Sequence, residues 1–122
     1  MKVPILRLQN ILLTSIQVDL NDEETLAFQH DVLEEINRTE AKGIVIDITA
    51  LDVVDSFMAR VLNQTAAMAR MLGAEVVVCG MQPDVALTLV EMGCELTGVE
   101  TALNLDQGFD KLQRLIRKRG PQ

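Results

Sequence analysis

A serine directly follows an aspartate at the start of the apolar-striped stretch VVDSFMARVLNQTAAMARML, which covers residues 53–72. The Ser56 hydroxyl is a group that can accept a phosphoryl group, and Asp52 and Asp55 place two carboxylates beside it. The apolar spacing predicts a helix that begins near Ser56 and that Gly73 ends. Asp and Ser are also the ordinary residues at a helix start, where a side-chain oxygen accepts a backbone N–H. The pair therefore has two interpretations, helix capping and phosphorylation, and spacing alone favours capping.

The same backbone geometry suits a phosphorylated serine. The first turn of a helix has unpaired N–H groups and the positive end of the helix dipole, and both favour an anion. A phosphate on Ser56 adds roughly −1.5 to −2 charges without requiring a change of fold. An exposed Phe57 or Met58 beside it would offer a partner an apolar contact that the new charge disrupts. The expected effect of phosphorylation is therefore a change of partner.

Other kinds of site have little support. His30 is the single histidine, no metal ligand stands at a suitable spacing from it, and we interpret it as a surface residue. Cys79 and Cys94 have no metal or redox spacing, and Cys79 ends an apolar run that is typical of a buried strand. No nucleophile elbow, Walker loop or dinucleotide fingerprint occurs. The sequence therefore predicts no cofactor and no metal site.

An acidic group near the end of a predicted strand raises one alternative, a phospho-aspartate receiver with a metal site. The group consists of Asp47, Asp52 and Asp55. A receiver site requires carboxylates at the ends of several strands and a lysine on a late strand. Here the first strands have no acidic pair and the late extended segment has no lysine, so we discount this alternative.

Composition limits the partners. The 122 residues carry a net charge of −7 with a pI near 4.6, which does not suit a nucleic-acid backbone. Three Phe, with no Trp or Tyr, give few surfaces on which bases stack. No apolar run approaches the roughly 20 residues of a membrane span, and the first residues have no signal-peptide pattern. We expect a cytoplasmic protein whose partners are proteins, with no nucleic acid and no membrane.

The elements that position Ser56 follow from the apolar pattern. Two alternating runs in residues 3–20 predict an N-terminal β-hairpin, and residues 21–43 predict a helix. The β-branched run 43–49 predicts a central strand that is buried on both faces. After the helix at Ser56 follow a strand at 74–80, a helix at 83–93, an extended segment at 96–99 and a last helix. The order β-β-α-β-α-β-α-β-α predicts one α/β domain, residues 1–122, with a mixed, mostly parallel sheet.

Apolar spacing also predicts the buried face of each helix. The predicted buried residues of the first helix are Phe28, Val32 and Ile36, with Leu26 and Leu33. Those of the helix at Ser56 are Phe57, Val61, Met68 and Leu72. Those of the last helix are Leu105, Phe109, Leu112 and Ile116.

This order of elements, together with GIVIDITALDVVDSFMARVL at residues 43–62, resembles the STAS family. That family includes anti-sigma-factor antagonists and the tails of sulfate transporters, and the resemblance covers essentially the whole chain. In the family the apolar strand, the D-x-x-D-S turn and the following helix form the phosphorylated surface. The resemblance implies that Ser56 is the phospho-acceptor and that Asp52 and Asp55 belong to the recognition turn.

Within the family, the residues after the serine indicate a subgroup. Soluble antagonists typically have a second small residue and a glycine there, whereas Phe57 and Met58 follow Ser56 here. This departure, with VPILRLQNILLTSIQVDL at residues 3–20 and GMQPDVALTLVEMG at 80–93, resembles the RsbS-type scaffold subunits of the bacterial stressosome.

The RsbS-type resemblance implies a non-enzymatic protein in a homo- and hetero-oligomer with larger STAS paralogues that carry N-terminal sensor domains. It implies that the protein holds a serine kinase of the switch-protein type and releases it when Ser56 is phosphorylated. A PP2C-like phosphatase then resets the site. From their place on the first helical turn, we predict Phe57, Met58 and Arg60 as kinase contacts.

Two alternatives stay open within the family. One is a soluble anti-sigma-factor antagonist that is regulated by phosphorylation of Ser56. The other is a STAS module that binds a ligand in a pocket. Thr14, Thr49 and Thr101 also remain possible second phospho-acceptors.

Overall fold

The structure is a computed structural model that describes residues 2–120, and its elements follow the predicted order. The strands are β1 (Ile5–Leu8), β2 (Ile11–Ser15), β3 (Gly43–Asp47), β4 (Glu75–Cys79) and β5 (Glu100–Ala102). The helices are α1 (Asp22–Thr39), α2 (Ser56–Met71), α3 (Pro83–Glu91) and α4 (Leu105–Lys118). Within residues 2–120, no helix combines the length and the apolar character that a membrane crossing needs.

The five strands form one sheet in the order β1-β2-β3-β4-β5. The pair β1 and β2 is antiparallel, as predicted for the N-terminal hairpin, and all other neighbours are parallel. The carboxyl ends of β2 to β5 therefore meet at one edge of the sheet, which we call the carboxyl edge. Each of the four helices starts there, so the first residue of α2 lies at that edge.

Two cores lie on opposite faces of the sheet, because alternate residues of a strand point to opposite sides. In β3, Ile44 and Ile46 belong to the core under α1, α2 and α3, whereas Val45 belongs to the core under α4. All three side chains are fully buried. The continuous apolar run of β3 is thus explained by helices on both faces, as the sequence predicts.

α2 buries a different face from the predicted one. Val61 is buried, but Phe57 is half-buried, and Met68 and Leu72 are 40% and 47% exposed. The buried residues of α2 are Met58, Ala59, Val61, Leu62, Thr65, Ala66 and Ala69. The prediction was wrong because it counted only large apolar residues, whereas alanines form much of the face that packs closely on the sheet and α1.

One residue of the predicted α1 stripe is also misplaced. Phe28, Val32 and Ile36 are buried as predicted, but Leu26 is 49% exposed. At about 100° per residue, Leu26 lies roughly 120° around the helix from Val32 and falls off the buried face. In α4, Leu112 is buried and the other predicted apolar residues pack partly buried against the same core.

The last strand begins later than the extended segment predicted at 96–99. The intervening residues are held by α2 instead of by a neighbouring strand. The Gly98 N–H donates to Asn63 Oδ1 at 3.0 Å, and Val99 turns into the core with 7% exposure. Ladder pairing with β4 therefore starts at Glu100.

Candidate functional site

The turn between β3 and α2 is anchored from inside. Leu51 and Val54 are only 1% and 3% exposed, and the Leu51 N–H donates to the Ile48 carbonyl at 3.0 Å. Between the anchors, Asp52 is exposed and Val53 is 63% exposed. The turn is thus fixed by two apolar side chains, while its outer residues face solvent.

Asp55 caps α2, and Ser56 does not. Asp55 has extended backbone angles, its Oδ1 accepts the Met58 N–H at 2.8 Å, and its carbonyl accepts the Ala59 N–H at 3.0 Å. Ser56 is the first helical residue and is exposed. Its hydroxyl makes no hydrogen bond to any part of the chain that the structure describes. Asp55 therefore caps the helix, and the Ser56 hydroxyl has no part in the cap.

A glutamine joins this turn to the loop before α3. Gln82 Nε2 donates to the Thr49 carbonyl at 3.0 Å and to Asp52 Oδ1 at 3.3 Å. Gln82 is the N-cap residue of α3, yet its side chain makes no capping hydrogen bond to that helix. The carboxylate of Asp52 is therefore held beside the turn by a residue 30 positions away.

Asp47 does not join Asp52 and Asp55 in a shared site. Its Oδ1 accepts the N–H of Thr49 at 3.0 Å and also the Thr49 hydroxyl, and its Oδ2 accepts the Ser15 hydroxyl at 3.4 Å. Among residues 2–120, no three or more His, Cys, Asp or Glu side chains are grouped so that they could hold a metal ion. The carboxylates at this edge thus accept hydrogen bonds from separate parts of the loops.

The cysteines and the histidine are not part of the turn between β3 and α2. Burial, with a smaller contribution from the Asp47 carboxylate, raises the pKa of the Cys79 thiol to about 11, so this thiol stays protonated at neutral pH. Cys94 is half-buried. His30 is exposed, and its Nε2 lies 2.7 Å from Glu34 Oε2 one turn along α1.

The three predicted contact residues after Ser56 differ in exposure. Arg60 is exposed, and its guanidinium lies 5.4 Å from the centroid of the half-buried Phe57 ring, a cation–π arrangement. Met58 is only 4% exposed, so its prediction as an exposed partner contact is wrong. It lies four residues before Leu62 on the buried face of α2.

Val53 is a residue that the sequence reasoning missed. Val53 and Val54 are adjacent and chemically identical, and nothing in the pattern shows that one is buried and the other exposed. With Phe57, Val53 gives the surface beside Ser56 an apolar part.

The other possible phospho-acceptors are placed differently from Ser56. Thr14 is 1% exposed, and its hydroxyl donates to the Pro4 carbonyl at 2.8 Å. Thr49 is exposed, but its hydroxyl is bonded to Asp47. Thr101 is exposed on β5.

The carboxyl edge around Ser56 is acidic. Acidic side chains lie in the first turns of three helices, namely Asp22, Glu23, Glu24, Asp84 and Asp106. Basic side chains lie in the last turns at the opposite edge, namely Arg38, Arg70, Arg117 and Lys118. A dianion on Ser56 would therefore join a surface that is already negative.

A separate groove of about 550 Å³ lies between α3, β5 and the start of α4. It is lined mainly by apolar side chains, among them Leu89, Leu96 and Leu103. No residue of the turn at 51–56 lines it.

Comparison with known proteins places these features in a family. The STAS domain family matches residues 2–108. A serine-to-glutamate variant of RsbS from Moorella thermoacetica is 43% identical with a TM-score of 0.81, and the match covers 96% of this chain and 99% of that chain. A chain of the structure described as the molecular architecture of the stressosome, a signal integration and transduction hub, is 45% identical with a TM-score of 0.77. That match covers 93% of this chain and 99% of the other.

Two longer relatives come from Bacillus subtilis (strain 168). The RsbT co-antagonist protein RsbRA is 27% identical over 101 residues, which is 83% of this chain. The chain spans only 37% of the length of RsbRA and 31% of the length of the RsbT co-antagonist protein RsbRD.

Proposed function

The chain belongs to the STAS domain family, and we propose that it is a non-enzymatic scaffold subunit of a stressosome-type assembly. In this proposal it holds a serine kinase of the switch-protein type and releases the kinase when Ser56 is phosphorylated. The observation that carries the proposal is the exposed Ser56 hydroxyl, which Asp55 frees from any capping role. The likeness to RsbS and to a stressosome chain, at 43% and 45% identity, supports the scaffold role.

The proposed assembly contains copies of this chain and larger STAS paralogues with N-terminal sensor domains. The match to RsbRA supports this composition, because the chain corresponds to 37% of that longer protein. The protein acts in the cytoplasm, and a PP2C-like phosphatase returns Ser56 to its unmodified state.

A phosphate on Ser56 is compatible with the fold. The side chain is exposed at the first position of α2, where backbone N–H groups still lack helical partners. The Moorella relative has the same fold although glutamate replaces one of its serines, which supports the tolerance of a new negative charge in this family.

The same phosphate disfavours a partner that binds over the turn. Val53 and Phe57 supply apolar contact area next to Ser56, and Asp52 and Asp55 supply negative charge. A dianion added to an apolar contact beside carboxylates weakens binding through desolvation and like-charge repulsion. Kinase release then follows without unfolding of the scaffold.

The test is phosphorylation by the cognate serine kinase with ATP, followed by mass mapping of the labelled peptide. We expect one acid-stable phosphate on Ser56 and no label on the Ser56→Ala variant. Ser15→Ala is the matched control, because Ser15 is the only other serine and its hydroxyl is bonded to Asp47. Equal labelling of Ser56→Ala and wild type would contradict the site, and acid-labile phosphate would indicate a phospho-aspartate instead.

A second measurement separates the scaffold from a soluble anti-sigma-factor antagonist. Mixed with its STAS paralogues, a scaffold sediments as a large assembly that contains both chains. An antagonist remains a monomer or dimer in the same mixture, and that result would contradict the scaffold role.

A further inference from the structure

We infer that Arg60 binds the phosphate on Ser56, and that phosphorylation moves its guanidinium from the Phe57 ring to the phosphate. This inference rests on the proposed function, because it requires a phosphorylated Ser56. It assigns Arg60 a role within the chain, in the phosphorylated state, that is distinct from a contact with the kinase.

The spacing of the two residues allows a direct contact. Ser56 and Arg60 are four residues apart on α2, so both side chains project from the same helix face about one turn apart. Both are exposed, and nothing buried has to move for them to meet. The order is also favourable, since an anion four residues before a cation is the better arrangement in a helix.

Arg60 is free to change its contact. Within residues 2–120 it forms no ion pair, although Asp52 and Asp55 lie in the adjacent turn. Its contact is the Phe57 ring, whose centroid lies 5.4 Å from the guanidinium carbon. A guanidinium binds a phosphate through two charge-assisted hydrogen bonds, which are stronger than an exposed cation–π contact. The phosphate therefore competes successfully for Arg60.

No other Lys or Arg of α2 lies within one turn of Ser56. In the described part of the chain, the first turns of all four helices lack Lys and Arg, and the basic last turns lie at the opposite edge of the sheet. Asp52 and Asp55 repel the phosphate. Arg60 is thus the cation of α2 that lies one turn from the dianion and can stabilise it.

The movement of Arg60 changes a second feature of the surface. In the unmodified protein the guanidinium covers one face of the Phe57 ring. Once Arg60 binds the phosphate, that face of the ring is uncovered beside a new negative charge. Phosphorylation then changes both the charge and the aromatic contact that a partner meets, which lets two partners distinguish the two states.

The experiment is NMR on the full chain with phosphoserine installed at position 56 during translation, so that no kinase is needed. We expect ring current from Phe57 to shift the Arg60 Hδ protons upfield in the unmodified protein, because the guanidinium lies over the ring. We expect phosphoserine to reduce that shift, to weaken the Phe57–Arg60 cross-peaks several-fold and to move the Arg60 Hε signal downfield. Arg70 is the matched control, because it lies in the last turn of α2 and donates to the Gly98 carbonyl at 3.3 Å.

Two variants sharpen the result. In the phosphorylated protein, Arg60→Lys should show a cross-peak between the side chain of residue 60 and the turn, weaker than that of wild type. Arg60→Gln should show no such cross-peak. Unchanged Arg60 signals on phosphorylation, or equal changes at Arg70, would overturn the inference. Kinase binding to the same samples is measured separately: release with unmoved Arg60 signals rejects only this inference, and retention with moved Arg60 signals rejects only the proposed function.

Discussion

The first turns of α1 and α2 lie at the same edge of the sheet and use their polar side chains differently. At α1, the Asn21 side chain accepts the Glu24 N–H at 2.7 Å, and Glu24 Oε1 accepts the Asn21 N–H at 3.0 Å. The Thr25 hydroxyl donates to the Asn21 carbonyl at 2.8 Å. All three polar side chains of this reciprocal cap thus stabilise the helix start.

At α2 the cap is reduced to one residue. Asp55 accepts the Met58 N–H, no acidic residue stands in the first turn, and the Ser56 hydroxyl has no partner within residues 2–120. A hydroxyl at a helix start is thus available for modification when it has no part in the cap. A neighbouring residue must provide the cap, so that modification of the hydroxyl removes no hydrogen bond that the helix needs.

The largest effect in this comparison comes from the anchor of the α2 turn. Leu51→Ala should lower the free energy of unfolding by about 3 kcal/mol, because Leu51 is fully buried and its removal leaves a cavity. The measurement is urea unfolding, with Val53→Ala as the control at an exposed position of the same turn. A loss for Leu51→Ala no larger than that for Val53→Ala would show that the turn is not anchored from inside.

A smaller effect separates the capping residue Asp55 from the proposed phospho-acceptor Ser56. Asp55→Ala should cost about 1 kcal/mol of unfolding free energy through loss of the cap, whereas Ser56→Ala should change it by less than about 0.5 kcal/mol. Asn21→Ala provides the reference for a cap at α1. Thermal or urea unfolding of the three variants checks the order, and a cost for Ser56→Ala equal to that for Asp55→Ala would contradict the division of roles.

The smallest effect depends on pH and concerns α1. In the folded chain the pKa of Glu24 lies below its ordinary value of 4.5, chiefly because its carboxylate accepts a hydrogen bond from the Asn21 backbone N–H. A lowered folded-state pKa contributes stability above pH 4.5 that is lost as pH falls through the folded value. Wild type should therefore be more stable than Glu24→Gln at pH 6, and the difference should shrink towards pH 3. A difference between wild type and Glu24→Gln that stays constant from pH 6 to pH 3 would contradict the contribution of this hydrogen bond.

The order of strands and helices could be predicted because each element carries its own local signal. The β-branched run at 43–49 predicts a strand covered on both faces, and Gly73 and Gly93 follow the helices that they end. The D-x-x-D-S turn, which contributes to the family resemblance, also lies in one continuous segment. These features depend on neighbours in the chain.

The division of roles at α2 could not be predicted in the same way. Asp55 and Ser56 are both good caps, and the choice depends on where the helical backbone begins. That point is set by the burial of Leu51 and Val54 in a core that includes other elements. The bond between Gln82 and Asp52 joins residues from different loops, so no local pattern indicates it.

The most direct test of the central claim compares two forms of the chain, one with Ser56 and one with phosphoserine at that position. The affinity of the cognate kinase and the amide NMR spectrum are measured for both. The account predicts that phosphorylation raises the Kd for the kinase by about tenfold or more. Amide shifts should change only near the turn, and the spectrum should remain that of the folded domain. Equal affinity for the two forms, or an unfolded spectrum of the phosphorylated form, would contradict it.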